Sequence, residues 1–325
     1  RSFAREPVFV SFGAIHTAGS PVTPSCAERF AMFRRRFIAA TALATFSTLG
    51  LAASAAPLTL EVYNPGAASL FPVSSSIVSG EKEAVLIDAQ FQRNDAQALV
   101  KKIQAGGRRL ATVYISHSDP DYYFGLDVIR AAFPDARIVA TPQTVAAIQA
   151  SKDGKLAHWG PILKDNAPQS LVVPEPLAGD TIELEGRRIQ VVGPTPARTV
   201  AWIPSLRTVV GGVPVSANIH LWVADTQTPE SRRDWRRTLD RIAALKPKTV
   251  VPGHYLPNAD GSAPSTLASV NFTRAYLQAF ETEAAKAKDS AALIAAMKKR
   301  YPKLEDASSL ELSAKVIKGE MKWPQ

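Results

Sequence analysis

The sequence predicts an α/β fold in which two sheets stack between outer layers of helices. Three observations predict it. Short β-branched runs bounded by Gly- and Pro-containing turns alternate with amphipathic helical stretches. That alternation occurs twice, on either side of a Pro-rich stretch at residues 153–180. The composition, 46% hydrophobic and 21% charged over 325 residues, is that of an ordinary globular protein. Two such halves bring strand-end loops together at one edge of the stack.

The elements follow in order. "LTLEVYN", "SSIVSG" and "EAVLIDAQ" are strands punctuated by Asn-Pro-Gly and Gly-Glu-Lys turns. A helix over about 94–105 stops at Gly106–Gly107. "RLATVYIS" is a buried strand, a second helix runs from near Gly125 to before Pro134, and "ARIVAT" is the next strand. Pro142 opens another helix in its first turn, where the missing N–H costs nothing. Residues 153–180 read as an irregular surface excursion. Strands then return as "DTIELEG", "RRIQVVG", "TVAWIP" and "RTVVGG". "PESRRDWRRTLDRIAALKP" is an amphipathic helix with Trp235, Leu239 and Ile242 on one face. "TVVPGHY" is a strand leading into a loop, and residues 265–300 are mostly helical.

Of the formal charge of +9, the first 55 residues contribute +4, six Arg against two Glu. Without the first 55 residues, 32 basic and 27 acidic residues leave +5. That balance, with no aromatic-interleaved basic runs, argues against a nucleic-acid partner. "RRDWRR" at 232–237 reads as a solvated helix face rather than a phosphate patch. Met32 begins a basic stretch, an apolar run and small residues before Pro57, the pattern of a secretory signal with a cleavage point after Ala55. "RRRFI" is also similar to a twin-arginine export signal. Residues 1–55 are therefore expected to be a leader, an upstream extension plus a signal peptide, and 56–325 a single domain in the periplasm or outside the cell, with no stable membrane insertion. The lone cysteine, Cys26, falls in the leader, so any metal site must use His, Asp, Glu or Tyr.

Residues 115–125, "ISHSDPDYYFG", place His117, Asp119 and Asp121 at alternate positions after an apolar strand. Residues alternating out of a strand end project to one side. The stretch resembles the H-x-H-x-D-H-x-G signature of the metallo-β-lactamase superfamily, and the resemblance extends along the chain. Asp88 in "AVLIDAQ" looks like that family's early strand-ending aspartate, and His254 in "VVPGHY" like its last histidine. The resemblance implies a four-layer αββα sandwich. The chain also departs from the pattern: Asp119 and Tyr122 replace two histidines, the mid-chain histidine falls at or beside Arg198, and Gly212 replaces the bridging aspartate.

Taken with the signal-like leader, the resemblance implies an exported hydrolase with a reduced, one-metal site. Water activated by one divalent ion, Zn or else Fe or Mn, would attack an ester, lactone or amide of a small-molecule substrate. His117, Asp119, Asp121 and His254 would hold the ion, with His220 a further candidate. Asp121 and Tyr122 would be catalytic, Tyr122 as a hydrogen-bond donor rather than a phenolate. Arg198 and Trp159 would bind substrate. A blander reading stands beside this one: "SDPD" is a good helix start, with carboxylates at the positive helix end. His220 fits a packing role, His158 a surface loop, and Trp159, Trp202 and Trp222 fit packing. Two alternatives follow, a non-catalytic ligand-binding relative of the same fold and an iron-dependent redox site. The chain has no G-x-S-x-G elbow and no phosphate-cradling Gly-rich loop.

Overall fold

The computed structural model describes residues 56–193 and 198–323, and the expected leader lies outside them. The first sheet has β1 (Thr59–Tyr63), β2 (Ser75–Ser79), β3 (Glu83–Ile87), β4 (Arg109–Ile115), β5 (Arg137–Ala140) and β6 (Glu175–Pro176), side by side in that order. β1 to β3 form an antiparallel meander, and β3 to β6 are parallel. The second sheet has β7 (Thr181–Leu184), β8 (Arg187–Val192), β9 (Val200–Ile203) and β10 (Thr208–Val210). A short β11 (Ser216–Ala217) comes next in the chain, then β12 (Thr249–Val250), which joins β10 at the sheet edge. β11 pairs instead with β13 (His254–Tyr255).

Side-chain alternation turns these sheets into layers. Ile77, Leu86 and Val113 face outward into a core with α1 (Arg93–Ala105), α2 (Pro120–Tyr123), α3 (Leu126–Ala132) and α4 (Pro142–Leu163). Their neighbours Val78, Val85, Ile87 and Tyr114 point the other way and meet Ile189, Ala201, Ile203 and Val210 of the second sheet. Val200, Trp202 and Val209 then face α5 (Pro229–Ala244), α6 (Leu267–Lys286), α7 (Ser290–Arg300) and α8 (Ala307–Ile317). Helix, sheet, sheet and helix therefore enclose three apolar layers, the predicted αββα sandwich.

Two stretches differ from the sequence reading. The excursion expected from residue 153 is helical to Leu163, because α4 continues through Gly154 and Gly160. Trp159, on that continuation, packs edge-on against Phe71 and Phe91 at 5.3 and 5.5 Å, and this tertiary contact overrides the poor local propensity. Pro161 removes one N–H, and the helix ends two residues later. The helix α8, not foreseen, buries Leu310, Ala314 and Val316, and Asp306 caps it through Ser309 N–H. Elsewhere local signals match: Thr141 caps α4 ahead of Pro142, and Thr228 forms a capping box with Ser231 at α5. No helix among the described residues is long and apolar enough to cross a membrane.

Candidate functional site

The ends of β3, β4 and β10 meet at one edge of the sandwich, tied by Asp88. This buried carboxylate accepts from Ser116 N–H and Ser116 Oγ at 2.7–2.8 Å and from Gly212 N–H at 3.3 Å. Burial outweighs those bonds and pushes its carboxyl up to about 7. Gly212 has φ +75°, and a Cβ there would lie 2.1 Å from the Thr199 carbonyl oxygen. The backbone at this position thus excludes the aspartate that the family pattern places there.

His117, the first residue beyond this knot, is buried; Asp119 and Asp121 follow as the chain turns into α2. Asp119 occupies the N-cap position with extended backbone but makes no side-chain cap bond. Its carboxylate turns instead to His117, with Oδ2 3.2 Å from Nδ1, and to Lys155, whose Nζ is 3.1 Å from Oδ1. Burial opposes its ionisation, yet His117, Lys155 and Arg198 together hold the carboxyl well below the usual range. Asp121 takes a different partner: its Oδ2 is 2.6 Å from Nε2 of His254. The Tyr122 ring stands between the two imidazoles, edge-on to each at 5.6 and 5.5 Å, with its hydroxyl 3.0 Å from His254 Nδ1. Burial, then Asp121, Asp88 and Asp119, raise that phenol far above its ordinary value, so Tyr122 stays neutral. Burial disfavours a charge on His254, but Asp121 overrides it and raises the imidazole. A charged His254 donates from Nε2 to Asp121 and from Nδ1 to Tyr122.

Arg198 lies opposite His117 in an isolated antiparallel bridge. Its guanidinium carbon sits 5.6 Å from the centre of the Trp235 ring. Together with Pro214, Asp225, Thr226 and Trp235 it lines a cavity of about 210 Å³. Nη1 of Arg198 is buried without a hydrogen-bond partner among the described residues. Asp225 is clamped by two indoles, Trp222 Nε1–H at 2.6 Å and Trp323 Nε1–H at 2.8 Å. Burial and then Asp119 raise its carboxyl, against the pull of Arg198 and the Trp323 bond. Trp222 and Trp323 meet edge-on at 5.2 Å, and His158 approaches Trp323 at 5.8 Å.

The remaining sequence candidates separate. His220 is buried with Nδ1 2.9 Å from the Tyr276 hydroxyl, and burial lowers its imidazole; its partners belong to the α6 side of the molecule. Trp159 packs on Phe71 and Phe91 and edges His158 at 4.8 Å. Two residues not singled out from sequence, Lys155 and Trp323, prove to be polar partners of Asp119 and Asp225. Lys155 shares a helix face with His158 and Trp159 at three- and four-residue spacing, a signal hidden while that segment read as loop.

A divalent ion of the kind the fold implies requires three or so protein donors. Among the described residues no three His, Cys, Asp or Glu side chains form a group that would hold one. His117 pairs with Asp119, Asp121 pairs with His254, and Tyr122 separates them. Lys155 and Arg198 supply the positive charge near Asp119, and Gly212 has no room for the bridging carboxylate. The donor set as arranged does not fit the ion.

The scaffold nonetheless has clear relatives. The fold is similar to that of a metallo-beta-lactamase family protein from Thermus thermophilus, with TM-score 0.54, 18% identity, and 81% of this chain and 91% of that one covered. It is also similar to a beta-lactamase domain protein from Burkholderia ambifaria, with TM-score 0.57, 14% identity, and coverage of 80% and 84%. No curated protein matches the chain. A sequence profile described as the metallo-beta-lactamase superfamily matches residues 68–254, from the turn after β1 to the histidine that pairs with Asp121. Layer order, strand-end polar knot and that match agree: the chain belongs to the metallo-beta-lactamase superfamily.

Proposed function

We propose that this chain is a small-molecule-binding member of the superfamily that holds an anionic ligand group at Arg198, in a cleft organised by internal ion pairs. The observation that carries this reading is Arg198 in the wall of a cavity of about 210 Å³, with its Nη1 buried and without a partner among the described residues. A buried donor on a charged group left unsatisfied costs upwards of about 1–3 kcal/mol, and a ligand carboxylate would satisfy it with a charge-assisted bond. Asp225 and Asp234 also line the cavity, so it suits one monoanionic group better than a polyanion. The volume fits a fragment of a ligand rather than a whole drug-sized molecule.

In a thermal-shift screen of small monocarboxylates such as benzoate, the wild type is expected to gain several degrees in Tm. A ligand at about 100 Kd adds about 2.7 kcal/mol. Arg198→Gln should abolish the gain. A wild type indifferent to every carboxylate, or a variant that responds equally, would overturn the reading.

A second reading, the exported one-ion hydrolase acting on an ester, lactone or amide, rests on superfamily membership. It has one local observation in its favour, the meeting of Asp121 Oδ2 and His254 Nε2 at 2.6 Å. Elemental analysis of untagged protein, with a panel of those substrates, separates the two. One Zn, Fe or Mn per chain, with turnover lost in Asp121→Ala, would replace the binding reading. Less than a tenth of an ion per chain and no turnover would retain it. Export is proposed from residues 32–55 alone, and fractionation of cells making the full chain checks it.

A further inference from the structure

The basic run at 232–237 finds a use that its sequence does not show. On α5, Arg233, Arg236, Arg237 and Asp240 recur at three- and four-residue spacing and so share one face. On α6, Asn271, Arg274 and Gln278 recur in the same way. The two faces meet along a groove of about 600 Å³. The opposite side of α5 carries the packing, through buried Trp235, Leu239 and Ile242, so the core does not require the arginines.

Several contacts fix these guanidiniums in place. Arg236 Nη1 donates to Gln278 Oε1 across the groove. Arg274 Nη2 donates to Asp240 Oδ1 at 2.6 Å, and its Nη1 to Asn271 Oδ1 at 3.3 Å. Nε of Arg274 is buried with no partner among the described residues. Arg237 pairs with Asp234 within its own helix. The partner of Arg236 is a neutral amide, and Arg233 is exposed, so the groove keeps excess positive charge.

We propose that the α5–α6 groove is a binding site for a compact, multiply charged phosphate compound. Guanidinium forks match phosphate oxygens two at a time. Asparagine and glutamine amides in the wall add neutral donors. Among the described residues no aromatic side chain lines the groove for base stacking, and its only apolar lining residue is Ala275. Both facts disfavour nucleic acid strands and lipid surfaces relative to a small polyanion.

Titration calorimetry of the full chain with inorganic tripolyphosphate, at about 20 mM and 200 mM salt, tests this. Expected is saturable one-to-one binding that weakens with salt. Arg236→Gln/Arg274→Gln should weaken it at least about tenfold, and Arg274→Lys less, since charge stays and the fork is lost. Because Arg274 also pairs with Asp240, a second variant, Arg233→Gln/Arg237→Gln, alters only exposed positions and should likewise weaken binding. Vesicles of phosphatidylglycerol and a duplex DNA complete the set. Failure of wild type to bind tripolyphosphate at millimolar concentration would overturn the proposal. So would affinity unchanged in both double variants, or binding to vesicles or DNA alone.

Discussion

Asp88→Ala is expected to lower the free energy of unfolding by about 3–5 kcal/mol, measured by urea denaturation at neutral pH. The carboxylate is the shared acceptor for Ser116, which follows β4, and Gly212, which follows β10, so it joins the two sheets at the site edge. Alanine would leave two buried N–H groups and a hydroxyl without it. It would also inherit a backbone at φ 66°, where a short polar side chain is better tolerated. The same residue gives a pH signature. Its carboxyl titrates at about 7 in the folded chain, against about 3.9 when unfolded. Between those values the folded state holds a proton that the unfolded state has released. Stability therefore falls as pH rises from about 4 to 7, by up to roughly 1.4 kcal/mol per unit, and levels off above. Asp88→Asn should flatten that slope; a wild-type Tm rising across the window would contradict the assignment.

Arg232→Met should cost about 3 kcal/mol and lower Tm by roughly 10 °C, read in a thermal melt. Arg232 is 5% exposed. Its Nε and Nη2 reach Glu281 on α6 at 2.5 and 3.2 Å, while Nη1 donates to the Thr226 and Gln227 carbonyls at 2.7 and 3.1 Å. Methionine matches the stem but strands the Glu281 carboxylate and both carbonyls. Glu281 is about one-third exposed (32%), so water recovers part of the loss, which keeps the figure at the low end for a broken buried pair. Arg232→Met/Glu281→Leu should regain much of the stability, because it removes the stranded charge. A double variant no better than the single would assign the cost to the two carbonyls.

The layers were legible because burial in a sandwich writes a period of two into the strands. In "AVLI" successive residues serve different cores, and in "RLATVYI" Val113, Tyr114 and Ile115 do so beyond the bulge that puts Leu110 on the same side as Val113. The C-terminal half of α4 was not legible. Gly154, Gly160 and Pro161 argue locally for a break, and Trp159 against Phe71 and Phe91 supplies the reason to continue. At the site, the order of His117, Asp121 and His254 along the chain was readable, but the pairing was not. The Lys155 that reaches Asp119 lies on the helix read as loop, and Trp323, which reaches Asp225, stands almost 100 residues beyond it (|i−j| 98). Neither partner leaves a trace near the motif. Asp119 was readable as a cap, and what diverts it is His117, two residues before it, together with the distant Lys155 and Arg198 that a local window does not contain.

The indole of Trp323 gives the far end of the described chain a share in the cleft wall, through its bond to Asp225 and its contacts with Trp222 and His158. A chain cut after Glu320 would keep the helical core yet free one carboxylate oxygen beside Arg198. That oxygen is then available to neutralise the guanidinium from within. On the proposed binding reading, a chain ending at Glu320 should hold a small carboxylate more weakly than one that keeps Trp323, as read by calorimetry.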